Sequence, residues 1–284
     1  MKIASFLLDG HQTYGLVDAA VLRPVAAEFA SQFPTLRALL EADQLALLPA
    51  NCAPQSIPLS EVALLPPIPT PSKTLCVGLN YRKPYPVAGS ELKSNDIVIF
   101  GRHDDTFVGP DAALEMPTGA AAESYDFEGE IVAVIGKTCR HVSEAEAMAH
   151  VIGYSCMNEG SVRGWQKHSV HAGKNFFASG SWGPWLTTAD EAGSPETMEL
   201  ITRVNGEVMQ QTTGKEMIHP LPKLISYLSH MTQLNPGDVI ATGSPDGTGG
   251  SRTPPAFLKE GDVVEVEIPT IGTLQNPVSS SILF

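Results

Sequence analysis

Positive charge and cysteine are both scarce in this sequence. Only 18 Lys and Arg residues stand against 31 Asp and Glu residues, for a formal net charge of −13, and no basic run is interleaved with aromatic residues. Nucleic acid is therefore not expected as a partner, because neutralising phosphates requires a positive face. The four cysteines are scattered without a Cys-x-x-Cys pair, so neither a disulfide framework nor a structural zinc site is indicated.

Long hydrophobic runs are missing as well. Gly, Pro or charged residues interrupt each apolar stretch before it reaches the roughly 18 residues of a membrane helix, so we expect no membrane association. The N-terminal stretch MKIASFLLDGHQ is broken by Asp9 and His11, which favours a first β-strand over a signal peptide. With 43% hydrophobic residues in 284, the chain can bury a large core, and we expect a cytoplasmic globular protein.

From Lys73 onward the sequence alternates short β-branched segments with Gly, Pro and Asp turns, and only two segments have a helical pattern, SEAEAMAHV and LPKLISYLSHM. Ser143 and Glu146 form a capping-box pair at the start of the first. Before a Pro-rich joint, ALLPPIPTPSK, the sequence predicts two strands and a helix over FPTLRALLEADQLALL. We therefore predict an α+β, mostly β fold with a small N-terminal α/β module (residues 1–65) and a larger domain (residues 66–284).

Acidic residues are concentrated at one predicted strand. In SYDFEGEIVAVIGK, Glu128 and Glu130 are two residues apart, so their side chains point to the same face of the strand, and Asp126 has the same parity. Two neighbouring carboxylates need a counter-charge or a proton, and a hard divalent cation supplies the charge most simply. A solvent-facing acidic strand is the alternative, but the following IVAVIG has the composition of a buried strand.

Two further polar clusters follow the strands of this domain. Glu159 ends an apolar strand, and a run of donors comes directly after it: Arg163, Gln166, Lys167, His168, His171 and Lys174. These donors suit a substrate carboxylate or enolate, although a solvated turn is also possible. The loop VIATGSPDGTGG places Thr242 and Ser244 where backbone N–H groups can bind anions, but it is neither a Walker A nor a Rossmann motif, and a plain turn would also fit. The sequence has no Gly-x-Ser-x-Gly elbow and no His-Glu-x-x-His, so an α/β-hydrolase or a zincin is not indicated.

In this order the motifs of residues 71–278 resemble the fumarylacetoacetate hydrolase family. The resemblance is carried by VGLNY, DFEGEIVAVIG, GYSCMNEGSVRGWQ, GKNF, RVNGEVMQ and GDVIATGSPDGTG. It implies a mixed β-roll catalytic domain, usually in a homodimer, with Mg²⁺ or Mn²⁺ held by a Glu-x-Glu pair and one further acid. By this resemblance the metal ligands are Glu128, Glu130 and Glu159, where Glu159 replaces the usual Asp.

The resemblance also implies roles for polar residues around the cation. Lys174, Arg163 and Gln166 match family positions, Arg102 stands where a Lys is usual, and Thr242 matches the Thr of the Gly-rich loop. We expect Tyr81, Arg102, Thr242 and Ser244 to bind substrate. The family's His and Glu acid/base dyad is replaced by Pro84 and Val87. A catalytic base must then come from elsewhere, with His103, His168, His171 or Glu123 as candidates.

These observations lead to three functional expectations. The first is a Mg²⁺- or Mn²⁺-dependent C–C hydrolase acting on a small 2-oxo acid, such as an acylpyruvate, in aromatic or sugar-acid catabolism. The second is a decarboxylase or an enol–keto isomerase, which demands less acid/base chemistry because a metal-bound enolate carries the developing charge. The third is a non-catalytic homologue that binds metal or ligand after losing the dyad.

Overall fold

The computed structural model describes residues 1–82 and 96–280. The strands are β1 (Lys2–Leu8), β2 (His11–Asp18), β3 (Val21–Pro24), β4 (Ile57–Pro58), β5 (Ala63–Leu64), β6 (Thr74–Gly78), β7 (Val98–Gly101), β8 (Phe107–Val108), β9 (Leu114–Glu115), β10 (Tyr125–Asp126), β11 (Gly129–Ile135), β12 (Val151–Asn158), β13 (Ser161–Val162), β14 (Gly180–Thr188), β15 (Glu199–Val204), β16 (Glu207–Thr213), β17 (Val239–Ala241), β18 (Val263–Ile268) and β19 (Gly272–Ser279). The α-helices are α1 (Ala27–Gln32), α2 (Leu36–Glu41), α3 (Glu144–Ala147), α4 (Arg163–Gln166), α5 (Val170–Lys174), α6 (Ala189–Ala192) and α7 (Leu221–Met231). The predicted α+β, mostly β architecture is confirmed.

Short 3₁₀ helices connect many of these elements. They span Leu45–Asn51, Leu59–Glu61, Asp104–Thr106, Gly119–Ser124, Met148–His150, Pro195–Thr197, Gly214–Glu216 and Gly249–Ser251. The single helix predicted over FPTLRALLEADQLALL is wrong, because α2 ends at Glu41 and a 3₁₀ helix begins at Leu45. Asp43 adopts a left-handed φ of 54° between the two, which interrupts the helical path. The capping box at Ser143 and Glu146 is present as predicted.

The main sheet has 12 strands in the order β4-β3-β2-β1-β14-β12-β11-β17-β6-β7, with β5 paired to β1 and β8 to β14. A five-stranded sheet has the order β16-β15-β18-β19-β9, and β10 pairs with β13. The N-terminal strands join the main sheet through the antiparallel pair β1 and β14. The predicted boundary near residue 65 falls between β5 and β6, and the division into two domains stays a prediction.

The central strand β11 is buried along its whole length. Alternate side chains of a strand point to opposite faces, and β11 feeds two different hydrophobic cores. Ile131, Ala133 and Ile135 pack into the core that contains the apolar face of α7, whereas Val132 and Val134 pack into the core that contains α2. The strand is therefore fixed from both faces, and its N-terminal end is held in one position. In residues 1–82 and 96–280, no helix has the length and apolar character needed to cross a membrane.

Candidate metal centre

Three acidic side chains meet at the ends of two neighbouring strands. Glu128 precedes β11, Glu130 lies in it, and Glu159 follows β12. The strands are antiparallel, and the N–H of Glu159 donates to the carbonyl oxygen of Glu128 at 2.7 Å. Oxygen atoms of the three carboxylates lie within 4.8 Å of one another, and all three residues are buried. The pairing of β11 with β12 thus brings together residues that are about thirty positions apart in sequence.

Two cations contact this carboxylate cluster. The Lys174 ammonium, at the end of α5, contacts Glu128 and lies 2.5 Å from Oε2 of Glu159. Nη1 of Arg163 lies 2.7 Å from Oε1 of Glu128. Burial alone would lower the pKa of Lys174, but the nearby carboxylates of Glu128 and Glu159 outweigh it and raise that pKa. Lys174 is therefore held as an ammonium ion and is a hydrogen-bond donor.

Glu130 has less compensation than its neighbours. Its Oε2 accepts a hydrogen bond from the N–H of Gly243 at 2.8 Å. Burial raises the pKa of Glu130 well above its usual value, and the charge of Glu159 raises it further. Oε1 of Glu159 is buried without a hydrogen-bond partner among the described residues. A buried carboxylate oxygen without a hydrogen-bond donor destabilises the folded state. A further positive charge bound at the cluster would compensate for it.

The donor set fits a hard divalent cation. All candidate ligands are carboxylate oxygens, which Mg²⁺ and Mn²⁺ prefer, whereas zinc sites usually contain His or Cys. Among the described residues, Glu128, Glu130 and Glu159 form a group of side chains that is close enough together to hold a metal ion. Asp126, the third acid of the same strand segment, is not part of this cluster and accepts hydrogen bonds from other groups. Its oxygens accept hydrogen bonds from the N–H groups of Gly249 and Gly250 at 2.7 and 2.9 Å and from Nε of Arg163 at 2.8 Å.

The Gly-rich loop after β17 forms one wall of the site. Thr242 donates twice to the carbonyl of Ile131, from its N–H at 3.1 Å and from Oγ1 at 2.9 Å. Gly243 has φ 99°, and a Cβ there would lie 2.7 Å from Cβ of Asn80, so this position requires glycine. Oγ of Ser244 accepts from Nε2 of Gln210 at 2.8 Å. Thr242 and Ser244 therefore hold the loop in place, and their contact with substrate stays a prediction.

Tyr81 and Asn80 lie beside this loop. Nδ2 of Asn80 donates to the carbonyl of Thr242 at 2.7 Å and to that of His219 at 3.1 Å. The Tyr81 hydroxyl is buried and has no hydrogen-bond partner among the described residues. Burial raises the pKa of Tyr81, and the charge of Glu130 raises it further. The hydroxyl is thus held as a neutral group near Glu130, and its contact with substrate stays a prediction.

Arg102 supports the turn after Glu159. Its Nη1 donates to the carbonyl of Gly160 at 3.1 Å, its Nη2 to Oγ of Ser179 at 3.1 Å, and its Nε to Oγ1 of Thr106 at 3.2 Å. The guanidinium also lies 4.3 Å from the ring centroid of Phe107. Arg102 is buried and bonded on several sides to protein groups. These contacts show that Arg102 stabilises the turn after Glu159. Its contact with substrate stays a prediction.

The three candidate histidines separate into two places. The rings of His103 and His171 pack in a T-shaped arrangement with centroids 5.3 Å apart. His171 lies in α5, about one helical turn before Lys174. His168 packs against Trp165 instead, at 5.3 Å between centroids. The other candidate base, Glu123, lies in the 3₁₀ helix before β10.

Gln166 accepts a long hydrogen bond from Nη1 of Arg163 at 3.4 Å. Pro84 and Val87 lie outside the described residues.

Asn175 connects the two paired histidines. Its Oδ1 accepts from the backbone N–H of His103 at 2.8 Å, and its Nδ2 lies 3.1 Å from Nδ1 of His171. A backbone N–H can only donate, which fixes the orientation of the amide. Nδ2 also lies 3.2 Å from the carbonyl oxygen of Gly101 and 3.0 Å from that of His171, and its two hydrogens are shared among these three acceptors, so this contact does not fix the tautomer of His171. Sequence reasoning did not find Asn175.

Two more residues at the site were also not found from the sequence. His219 is buried beside Asn80, and burial, followed by the charge of Lys223, lowers its pKa. Gln210 is 2% exposed and bonds to residues on both walls of the site. In MQQTT nothing distinguishes Gln210 from its exposed neighbour Gln211. Which of the two faces the core is decided by the pairing of β16 with β15.

Comparison with known proteins gives a consistent result. Residues 73–279 match the family model described as fumarylacetoacetate (FAA) hydrolase C-terminal. The mitochondrial oxaloacetate tautomerase fahd2 of Xenopus laevis is 35% identical over 251 residues, covering 86% of this chain and 78% of that protein. The fumarylacetoacetate hydrolase of the psychrophile Exiguobacterium antarcticum has a TM-score of 0.85 at 30% identity, covering 99% of this chain and 100% of that one. The maleylpyruvate hydrolase of Sphingobium sp. SYK-6, in complex with manganese(II) and pyruvate, has a TM-score of 0.79 at 25% identity, covering 98% and 99%.

Proposed function

Since the chain belongs to the fumarylacetoacetate hydrolase family, we propose that it is a Mg²⁺- or Mn²⁺-dependent tautomerase of a small 2-oxo dicarboxylic acid such as oxaloacetate. The observation that carries the proposal is the buried cluster of Glu128, Glu130 and Glu159 with the Lys174 ammonium beside it. It combines a site for a hard cation with a donor for an enolate oxygen. The frog relative named oxaloacetate tautomerase supports the choice of substrate.

The lost dyad favours tautomerisation over hydrolysis. C–C hydrolysis needs a base to activate water and an acid to protonate the departing carbanion. Pro84 and Val87, at the positions of the dyad, have no proton to exchange. Enol–keto exchange moves one proton between carbon and oxygen and needs no activated water. The residues that remain are proposed to carry out tautomerisation.

Each remaining residue has a proposed role. The cation, held by the three glutamates, would act as a Lewis acid on the 2-oxo group and the neighbouring carboxylate. Lys174 and Arg163 offset the negative charge that develops on the enolate oxygen, in a site from which water is largely excluded. The Tyr81 hydroxyl and the N–H groups of the loop at Thr242 and Ser244 orient the bound acid.

Proton transfer is assigned to His171 of α5 and to His103, which precedes the 3₁₀ helix Asp104–Thr106 and whose ring packs against that of His171. His171, whose Nδ1 lies 3.1 Å from Nδ2 of Asn175, donates a hydrogen bond to the enolate oxygen. His103 removes the proton from the carbon next to the 2-oxo group, the C–H electrons form the C=C bond, and the carbonyl π electrons move to oxygen. His103 then returns the proton to that oxygen, so that the enol forms and the base is regenerated. The reverse sequence gives the keto acid.

C–C hydrolysis is the second candidate. Structural similarity to a maleylpyruvate hydrolase in complex with manganese(II) and pyruvate favours it. His103 would then activate water, and the substrate would be an acylpyruvate. Decarboxylation of oxaloacetate would use the same enolate. A homodimer and a cytoplasmic location stay predictions.

One experiment separates these functions. Enol-enriched oxaloacetate is mixed with the Mn²⁺-loaded protein, and the enol absorbance is followed while lactate dehydrogenase reports pyruvate. Faster loss of enol without pyruvate is the expected result, and Glu128→Ala should abolish it. Pyruvate formation would instead indicate a decarboxylase, and cleavage of acetylpyruvate a hydrolase. If Mn²⁺ raises the melting temperature while none of these acids reacts, the protein is a binding homologue and the proposal is wrong.

A further inference from the structure

Gln210 is a buried polar side chain that the catalytic roles above do not use. It lies in β16 of the five-stranded sheet, whereas the glutamates lie at the main sheet. Its Oε1 accepts from the N–H of Gly129 at 2.9 Å, and its Nε2 donates to Oγ of Ser244 and to the carbonyl of Pro245, both at 2.8 Å. The N–H of Gly129 can only donate and the carbonyl of Pro245 can only accept, so the amide has one possible orientation.

The partners of this amide lie at the two walls of the metal centre. Gly129 is the residue between Glu128 and Glu130. Ser244 and Pro245 follow Gly243, whose N–H binds Glu130. One amide therefore connects the backbone that carries the glutamates to the loop that bonds one of them. Both connections pass through buried groups, which makes a broken one costly.

The close approach of the two sheets depends on glycine at position 129. A Cβ there would lie 1.9 Å from Oγ1 of Thr202 in β15 and 3.4 Å from Oε1 of Gln210. The Glu-Gly-Glu sequence thus lets β11 lie directly against the sheet that contains Gln210. The spacing of the two glutamates and the hydrogen bond to Gln210 are parts of the same arrangement.

We propose that Gln210 is a positioning residue of the metal centre, which fixes the directions of the Glu128 and Glu130 carboxylates through the N–H of Gly129. The inference rests on the metal-dependent function proposed above. Loss of the amide leaves the N–H of Gly129 buried without a partner, and the chain at residues 128–130 must shift to satisfy it. Such a shift separates the carboxylates from the geometry that a small cation requires. Residues that orient metal ligands typically change metal affinity by about 10–100-fold when they are replaced.

The test compares Gln210→Met with Gln211→Leu in the full chain. Methionine has nearly the volume of glutamine but lacks both hydrogen-bonding groups. Gln211 is the exposed neighbour, and its side chain donates a hydrogen bond to Glu199, so it controls for a change in β16. The dissociation constant for Mn²⁺ is measured by electron paramagnetic resonance, and the metal-free melting temperature is recorded for each protein.

We expect Gln210→Met to weaken Mn²⁺ binding by about 10–100-fold, while Gln211→Leu stays within about twofold of the wild type. An unchanged dissociation constant for folded Gln210→Met would overturn the inference. If this variant does not fold, Gln210→Asn decides the question, because it keeps the amide but is one methylene shorter and cannot reach both Gly129 and Pro245. A several-fold weaker dissociation constant supports the inference, and an unchanged one overturns it. If the wild type itself does not bind Mn²⁺, the metal-dependent function fails independently of Gln210.

Discussion

Replacing Glu130 by Gln is expected to stabilise the metal-free protein and to remove its response to Mn²⁺. Glu130 is 1% exposed and lies among the carboxylates of Glu128 and Glu159. Burial, and next the charge of Glu159, raise its pKa above the usual 4.5. The amide of Gln keeps the acceptor for the N–H of Gly243 but carries no charge. The variant therefore removes a repulsion and a metal ligand while it preserves shape and hydrogen bonding.

The magnitude follows from this burial. A buried polar group without adequate compensation costs about 1–3 kcal/mol or more if charged. For a domain of this size each kcal/mol shifts the melting temperature by about 2–4 °C, so the metal-free variant should melt several degrees above the wild type. Mn²⁺ at 100 times its dissociation constant adds about 2.7 kcal/mol to the wild type. In the wild type, this corresponds to a rise of about 5–10 °C.

Differential scanning calorimetry with and without Mn²⁺ measures both effects in one set of samples. The wild type should gain stability from Mn²⁺, and Glu130→Gln should not. Glu41→Gln is the matched control, because Glu41 forms an exposed ion pair with Arg37 far along the chain from the site. If Glu130→Gln keeps the full Mn²⁺ shift of the wild type, Glu130 is not a ligand and the reasoning is refuted.

Four further outcomes are expected. Lys174→Met leaves two buried carboxylates without their ammonium and should lower the free energy of unfolding by about 3–5 kcal/mol in denaturant titrations, with Mn²⁺ restoring part of it; an unchanged midpoint would contradict this. His171→Gln should lower kcat of the tautomerase by about 100-fold, whereas His168→Gln should stay within about twofold, and equal losses would argue against the assigned roles. Because the raised pKa of Glu130 means that its proton must leave before metal binds, Mn²⁺ affinity should increase with pH above 4.5, by up to about tenfold per unit, until Glu130 is ionised. Over the same range the metal-free protein should lose stability, since the folded state then binds the proton more tightly than the unfolded state; a pH-independent affinity would exclude this coupling.

Local rules were sufficient for the elements that bear the ligands. The two-residue spacing of Glu128 and Glu130 places both side chains on one face of a strand, and the apolar run after them predicts its burial. The helical period of LPKLISYLSHM predicts α7, and the pair at Ser143 predicts its capping box. Each of these features depends on residues within a few positions of one another.

Contacts between distant segments could not be predicted in this way. The hydrogen bond from the N–H of Gly129 to Gln210 joins residues 81 positions apart, and that from Arg102 to Gly160 joins residues 58 apart. Asn175 reaches His103 across 72 positions. These partners depend on which strands and loops become neighbours in space, and that is set by packing of the whole core. The break of the predicted helix has a local cause, because Asp43 adopts a left-handed backbone conformation. The helical pattern of the sequence around it did not indicate that conformation.

The most direct test of the central claim is anomalous diffraction from a crystal soaked in Mn²⁺. One strong peak is expected at about 2.0–2.2 Å from carboxylate oxygens of Glu128, Glu130 and Glu159, the range of oxygen ligands to small divalent cations. No peak between these three residues, or a peak bound only to exposed carboxylates elsewhere, would contradict it.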